Sequence, residues 1–210
     1  MNFFQYLAQN RIQILDLTGE HLWLVAISTA FAVAIGIPLG ILITRRRWLG
    51  KPVLGIANII QTIPSLALFG FLLPAPWIGE RAARLAILAL TLYALLPLIR
   101  NTYTGILSVD PAVIEAGRGM GLTDRQLLWQ VQLPLSLSVI IAGVRVAVVI
   151  SVGTATIAAA VGAGGLGQLI FSGLGMVNNQ MILAGAIPAA LLAIIADFGL
   201  GLLEKRLAPN

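Results

Sequence analysis

The chain has 210 residues, of which 59% are hydrophobic and only 10% charged, and its mean hydropathy is +0.96. An ordinary globular domain is about 25% charged, so thirteen Lys+Arg and eight Asp+Glu cannot cover a water-soluble surface of this size, and the composition is that of a polytopic membrane protein. The lack of cysteine excludes disulfides, thiolate metal sites and cysteine nucleophiles, the single His21 excludes a His-rich metal centre, and the formal net charge of +5 reports topology before it reports an acidic partner.

A spanning helix needs about 20 apolar residues to cross about 30 Å of hydrocarbon. Segments 22–44, 53–75, 85–107, 135–161 and 181–203 qualify, which predicts an all-α fold of about five transmembrane helices. Arg45, Arg46, Arg47, Lys51, Arg100, Arg118, Arg125, Lys205 and Arg206 then share one side, Arg11, Arg81 and Arg84 the other, and Arg145 lies within a span. Positive charge favours the cytoplasmic side, so the N-terminus is expected outside and the C-terminus inside. Trp23, Trp48 and Trp77 fall at predicted interfaces, where amphipathic rings prefer to lie.

Residues 1–21 read as an external N-terminal segment. The first span is too long for a signal-peptide core and is followed by no small-residue cleavage site, so a retained helix is expected. Its Gly36 and Gly40 form a small-xxx-small contact motif. In the second span Asn58, Gln61, Thr62 and Ser65 recur at i, i+3, i+4, i+7, one face of a continuous helix. Such a face must meet protein or a water-filled path, so pathway lining and interhelical hydrogen bonding both explain it, and Pro64 is positioned to kink it.

Between spans three and four lies the longest cytoplasmic piece, 108–134. Asp110 before Pro111 has the form of a helix N-cap followed by proline at the first helical position. Gly119 and Gly121 break that helix, and Thr123 with Gln126 has capping-box spacing for a second short one. A compact helix–turn–helix is predicted. Only Arg118 and Arg125 are basic within it, too few for a phosphate backbone, so nucleic acid is excluded as a partner.

Arg145 in the fourth span lies about 16 Å along the helix from Pro134, and Asp197 in the fifth about 10 Å before Glu204, depths that permit an intramembrane ion pair. The uncharged stretch 162–180 reads as the longest outer loop. Its residues 162–167 satisfy G-x-G-x-x-G, but a dinucleotide site needs a preceding strand and an acid about 20 residues on. A tight turn or close helix contact suits these glycines better. Neither Lys51 nor Lys205 fits a P-loop, so any ATP must be bound by another chain. Residues 208–210 form a short tail.

Glu115-Ala116-Gly117, three residues, Gly121, nine residues, then Val131-Gln132-Leu133-Pro134 resembles the coupling loop of ABC-importer permeases. That pattern is Glu-Ala-Ala, three residues, Gly, nine residues, Ile-x-Leu-Pro, so Gly117 and Val131 depart from it. IIQTIPSLALFGFL (59–72), LLPLIRNTYTGI (95–106), EAGRGMGLTDRQLL (115–128) and VGTATIAAAVGAGGLGQLIF (152–171) look like the permeases for glycine betaine, carnitine and choline. Methionine-uptake permeases are the nearest competitor. The likeness spans 22–207, which it identifies as the importer's transmembrane domain.

The resemblance implies a bacterial inner-membrane transport subunit that is not itself an enzyme. It would act with a second permease, identical or related, two ATP-binding subunits carrying ATP and Mg, and an extracytoplasmic binding protein. No cofactor or metal is implied on this chain. Glu115, Ala116, Gly117, Gly121, Leu133 and Pro134 would couple to the ATPase. Asn58, Gln61, Thr62 and Ser65 become translocation-path candidates, and Gly162, Gly164, Gly165 and Gly167 outer-gate candidates. Arg145 and Asp197 remain ion-pair candidates. An ATP-independent secondary transporter usually carries an inverted repeat, which five spans cannot supply. A purely structural membrane anchor leaves the polar face and the loop spacing without a reason.

Overall fold

A computed structural model describes residues 2–74 and 82–207. Trp77, Arg81, the end of the second predicted span and the tail 208–210 lie outside these residues. The described chain forms α1 (Phe3–Gln9), α2 (Arg11–Arg45), α3 (Gly50–Thr62), α4 (Ser65–Leu72), α5 (Ala82–Leu107), α6 (Pro111–Gly119), α7 (Asp124–Gln126), α8 (Leu133–Ala158), α9 (Gly167–Gly175) and α10 (Asn179–Leu207), with no strand among the described residues. Four helices are long and apolar enough to cross a membrane, and the bent pair of residues 47–62 and 65–72 makes a fifth candidate.

Helix α5 is the hub. It packs against both α2 and α8, which also touch each other, and α8 in turn carries α10. In its most apolar stretch 61% is buried, against 17% for α10, so α10 gives most of its surface to whatever surrounds the chain. Lipid tails are as apolar as leucine and supply no hydrophobic drive, so helices associate in hydrocarbon by close packing. Small residues provide it here. A Cβ on Gly36 would lie 2.8 Å from Leu98 Cβ, and one on Gly40 only 2.5 Å from Thr102 Cβ. Where α8 meets α5, a Cβ on Gly143 would lie 2.7 Å from Asn101 Cβ.

Three expectations change. The segment 1–21 is not separate from the first span: α1 is capped by Asn2, and α2 begins at Arg11. At 1.5 Å per residue, the 35 residues of α2 extend about 52 Å, well beyond the hydrocarbon thickness. Tyr6 and Leu17 are buried in one apolar cluster with Leu166, Leu169, Ala184 and Ala189, which continues helical periodicity through residues whose charged neighbours suggest an exterior segment.

The second span is two helices bent by 100°. Pro64 has no N–H and forces its predecessor out of the helical region, and Ile63 sits at φ −67, ψ 127. Finally, the stretch 162–180 is not a loop, because it contains α9.

Gly40→Val would force α2 away from α5. A Cβ on Gly199 would meet nothing within 4 Å, so Gly199→Val is the matched control. Size-exclusion of detergent-solubilised protein should give several-fold less monodisperse Gly40→Val, and a Gly199→Val peak close to wild type.

Candidate coupling loop and translocation path

The 108–134 segment is built from its caps. Asp110 accepts from Ala112 N–H at 2.8 Å, and Pro111 opens α6. At the other end Leu122 N–H donates to Gly117 O and Gly121 N–H to Arg118 O, with Gly121 at φ +84. This is the Schellman arrangement, which needs a left-handed residue at that position. Thr123 and Gln126 cap each other reciprocally. The second helix of the expected pair does not stand free. Helix α7 runs through a wide π turn (Leu127–Gln132) into α8, so that residues Asp124–Val161 form one candidate span. The wide turn lies where Pro134 removes the N–H that Gln130 O would accept.

Gly117 is buried where α6 crosses this turn, and a Cβ there would come 2.6 Å from Leu127 Cδ2. Glu115 and Ala116 are exposed, Leu133 is half-buried and Pro134 exposed. Sequence reasoning passes over Met120 and Trp129, which are 77% and 61% exposed on this segment. It also passes over Arg45, which ties the segment to the end of α2 by donating to Asp124 O at 3.1 Å and Gln132 Oε1 at 3.0 Å. Arg118 adds an exposed pair with Asp124 at 3.5 Å. Between these elements lies a cavity of about 500 Å³, lined among others by Arg45, Arg47, Glu115 and Arg118.

The polar face of the second span is divided. Asn58, Gln61 and Thr62 lie on α3, whereas Ser65 starts α4 beyond the break, so the four do not share one helix face. Asn58 and Thr62 are exposed and Gln61 and Ser65 half-buried. Gln61 Nε2 donates to Tyr93 O at 3.4 Å, Thr62 Oγ1 to Ile59 O at 2.7 Å, and Arg100 Nη2 to Asn58 Oδ1 at 3.5 Å. The Tyr93 hydroxyl donates to Ile63 O, occupying the carbonyl at the break. The sequence alone assigns Tyr93 no role.

Arg145 donates Nε to Asp197 Oδ1 at 2.6 Å and Nη2 to Oδ2 at 2.8 Å, the bidentate fork that suits a carboxylate. Its Nη1 reaches Glu204 Oε2 at 3.2 Å, a third member seven residues along α10. Gly201 makes room, since a Cβ there would sit 3.1 Å from Nη1.

At the opposite end, Gly162, Gly164 and Gly165 all have positive φ, from +73 to +83, and Gly167 is buried against the Thr156 carbonyl. Gly165 N–H donates to Glu20 Oε2 at 3.0 Å. The next residue, His21, is fully buried and its Nε2 lies 3.2 Å from Val152 O. The glycine segment comes after a helix and a 3-10 turn rather than a strand, which removes the context a dinucleotide site requires. Among the described residues no three His, Asp or Glu side chains gather as a metal site.

An all-helical membrane bundle whose second and third long helices are joined by a capped helix–turn–helix has the form of a transporter permease subunit. The chain belongs to the family of binding-protein-dependent transport system inner membrane components, which its residues 36–209 match. It is 46% identical to the osmoprotectant import permease protein OsmW of Salmonella typhimurium, over 100% of this chain and 99% of that one. It is 48% identical to the glycine betaine/carnitine/choline transport system permease protein OpuCD of Bacillus subtilis, over 97% of this chain and 88% of that one. Among solved structures, an inward-facing MetNI methionine ABC transporter superposes with a TM-score of 0.83 at 26% identity, covering 93% of this chain and 96% of its counterpart. An amino acid ABC transporter crystallised with histidines shares the fold, with a TM-score of 0.80 at 17% identity and coverage of 98% and 99%.

Arg145→Ala would leave two carboxylates facing each other without their cation, and a charge unpaired within a span is costly. Asp197→Asn keeps an acceptor and leaves Glu204 in place. Quantified in isolated membranes, folded Arg145→Ala should fall several-fold and Asp197→Asn much less; equal levels of the two would contradict this ranking.

Proposed function

We propose that this chain is the translocation subunit of an ATP-driven, binding-protein-dependent importer for quaternary ammonium osmoprotectants such as glycine betaine, carnitine or choline. The observation that carries the substrate class is 43–48% identity, along nearly the full chain, to permeases named for osmoprotectant, carnitine and glycine betaine/carnitine/choline transport. The likeness to a methionine transporter is weaker, at 26% identity. Residues 22–207 would serve as its transmembrane domain, with the N-terminus outside, the C-terminus in the cytoplasm, and the 108–134 segment facing the ATPase.

In this reading two permeases, identical or related, sit on two ATP-binding subunits beneath a binding protein. Solute is caught outside by the binding protein and ATP is hydrolysed by the partners. This chain supplies the path and the mechanical link. Exposed Glu115 and Ala116 would contact the ATPase, while Gly117 and Gly121 shape the helix and turn that present them and Leu133 and Pro134 carry motion into α8. Asn58, Gln61, Thr62 and, past the break, Ser65 would flank the path. Gly162, Gly164, Gly165 and Gly167 would form the outer gate, and the Arg145–Asp197 pair would hold α8 to α10 as they tilt together.

The test is uptake into proteoliposomes holding this permease, its co-encoded ATPase and its binding protein. ATP-dependent accumulation of labelled betaine, carnitine or choline is expected, abolished by Glu115→Lys. Methionine accumulation would keep the machine and overturn the substrate class; uptake indifferent to ATP and to Glu115→Lys would overturn the coupling assignment. In the same assay Gly117→Ala should be tolerated, because its Cβ displaces only the flexible tip of Leu127. Gly117→Leu should wedge α6 off the wide turn and cut substrate-stimulated ATPase activity at least tenfold.

A further inference from the structure

A cavity of about 630 Å³ opens at the end of the bundle remote from the coupling loop. Glu20 lies 25 residues before Arg45 on α2, about 37 Å along the helix axis. Glu20 and Trp23 line the cavity from α2, Gly162 and Gly164 from the glycine segment, and Gln168 from α9. Being three residues apart, Glu20 and Trp23 occupy one face of their helix.

Glu20 commits Oε2 to Gly165 N–H, but a carboxylate offers about four acceptor positions and a full charge. Trp23 is 52% exposed, so much of its ring is not spent on packing. Among the described residues no lysine or arginine lines the cavity. A quaternary ammonium has no N–H to donate, so hydrogen-bond acceptors alone cannot select it. It is selected by negative charge and by an aromatic face, and this cavity presents both on adjacent turns of one helix.

We propose that the cavity is a receiving site for a quaternary ammonium head group, held between the Glu20 carboxylate and the Trp23 ring at the outer mouth of the permease. This site rests on the osmoprotectant reading above. It gives the solute a first foothold on the permease itself, and because Glu20 also holds Gly165, occupancy bears directly on the segment that flanks the mouth.

The experiment is ligand-observed NMR on the permease–ATPase complex in nanodiscs, without binding protein. It compares choline with 3,3-dimethylbutan-1-ol, its uncharged isostere. Saturable broadening of the choline N-methyl resonance is expected, with at least tenfold weaker binding of the isostere. Glu20→Gln keeps an acceptor for Gly165 N–H but removes the charge, and should abolish the preference for choline. Trp23→Leu should weaken choline binding by about three- to tenfold, the range of a half-exposed cation–π contact, and Trp23→Phe, which preserves a ring, should fall between.

Equal binding of the isostere, no saturable choline signal, or indifference to both Glu20→Gln and Trp23→Phe would overturn the site. The two readings fail separately. Choline or betaine uptake by the complete importer without choline binding here sinks only this site, whereas methionine uptake by the complete importer sinks the substrate class.

Discussion

Hydrocarbon offers no hydrogen bonds, so each place where the backbone leaves its helical ladder inside the membrane must find a partner within the protein. That constraint organises this molecule. The break at Ile63–Pro64 is answered by the Tyr93 hydroxyl on the Ile63 carbonyl, and the Tyr93 carbonyl that Pro97 leaves without an N–H partner is answered by Gln61. The glycine turn after α8 is answered by Glu20, which accepts Gly165 N–H. At the break and at the glycine turn the partner comes from a long neighbouring helix, so the irregular segments are pinned to rigid ones, and the sites of interest occur where that pinning happens.

The same logic applies differently at the water-facing end. Around residues 108–134 water can satisfy a stray carbonyl, and local capping suffices. Asp110, Gly121 and the Thr123–Gln126 pair close the helix ends within a few residues of themselves. The unit is a self-consistent module, held to the bundle through Arg45 and through its covalent run into α8. An independently capped module with exposed apolar side chains such as Met120 and Trp129 suits a surface that docks against another protein without unravelling.

Legibility in the sequence tracks the range of the interactions. The caps are readable because each spans three or four residues. The four apolar spans are readable from length, and the depth match of Arg145 and Asp197 from helical rise alone. Pro64 signals a kink, but the local sequence gives neither its 100° amplitude nor the Tyr93 hydroxyl that meets the Ile63 carbonyl from thirty residues away, and so the grouping of Ser65 with Asn58, Gln61 and Thr62 fails. The Glu20–Gly165 bond joins residues 145 apart, which no local pattern reports. The helical start at Arg11 is obscured because Asp16 and Glu20 resemble an exterior segment, although Leu17 points into the apolar cluster. Glu204 is within reach of the same periodicity argument, since seven residues from Asp197 is two helical turns.

The continuity of residues Asp124–Val161 has a mechanical corollary. Thirty-eight helical residues make a rod of about 57 Å, with one end inside the candidate docking module and the other at the glycine turn. Arg145, which clamps this rod to α10, sits slightly past its midpoint. A rotation of about 10° of such a rod, pivoting at one end, sweeps the other through about 10 Å. Held nearer its middle, the rod divides that travel between its ends in opposite senses. Were the rod to pivot at Arg145, a displacement applied at the loop would reach the glycine turn, which Glu20 holds at Gly165, reversed in direction and comparable in size.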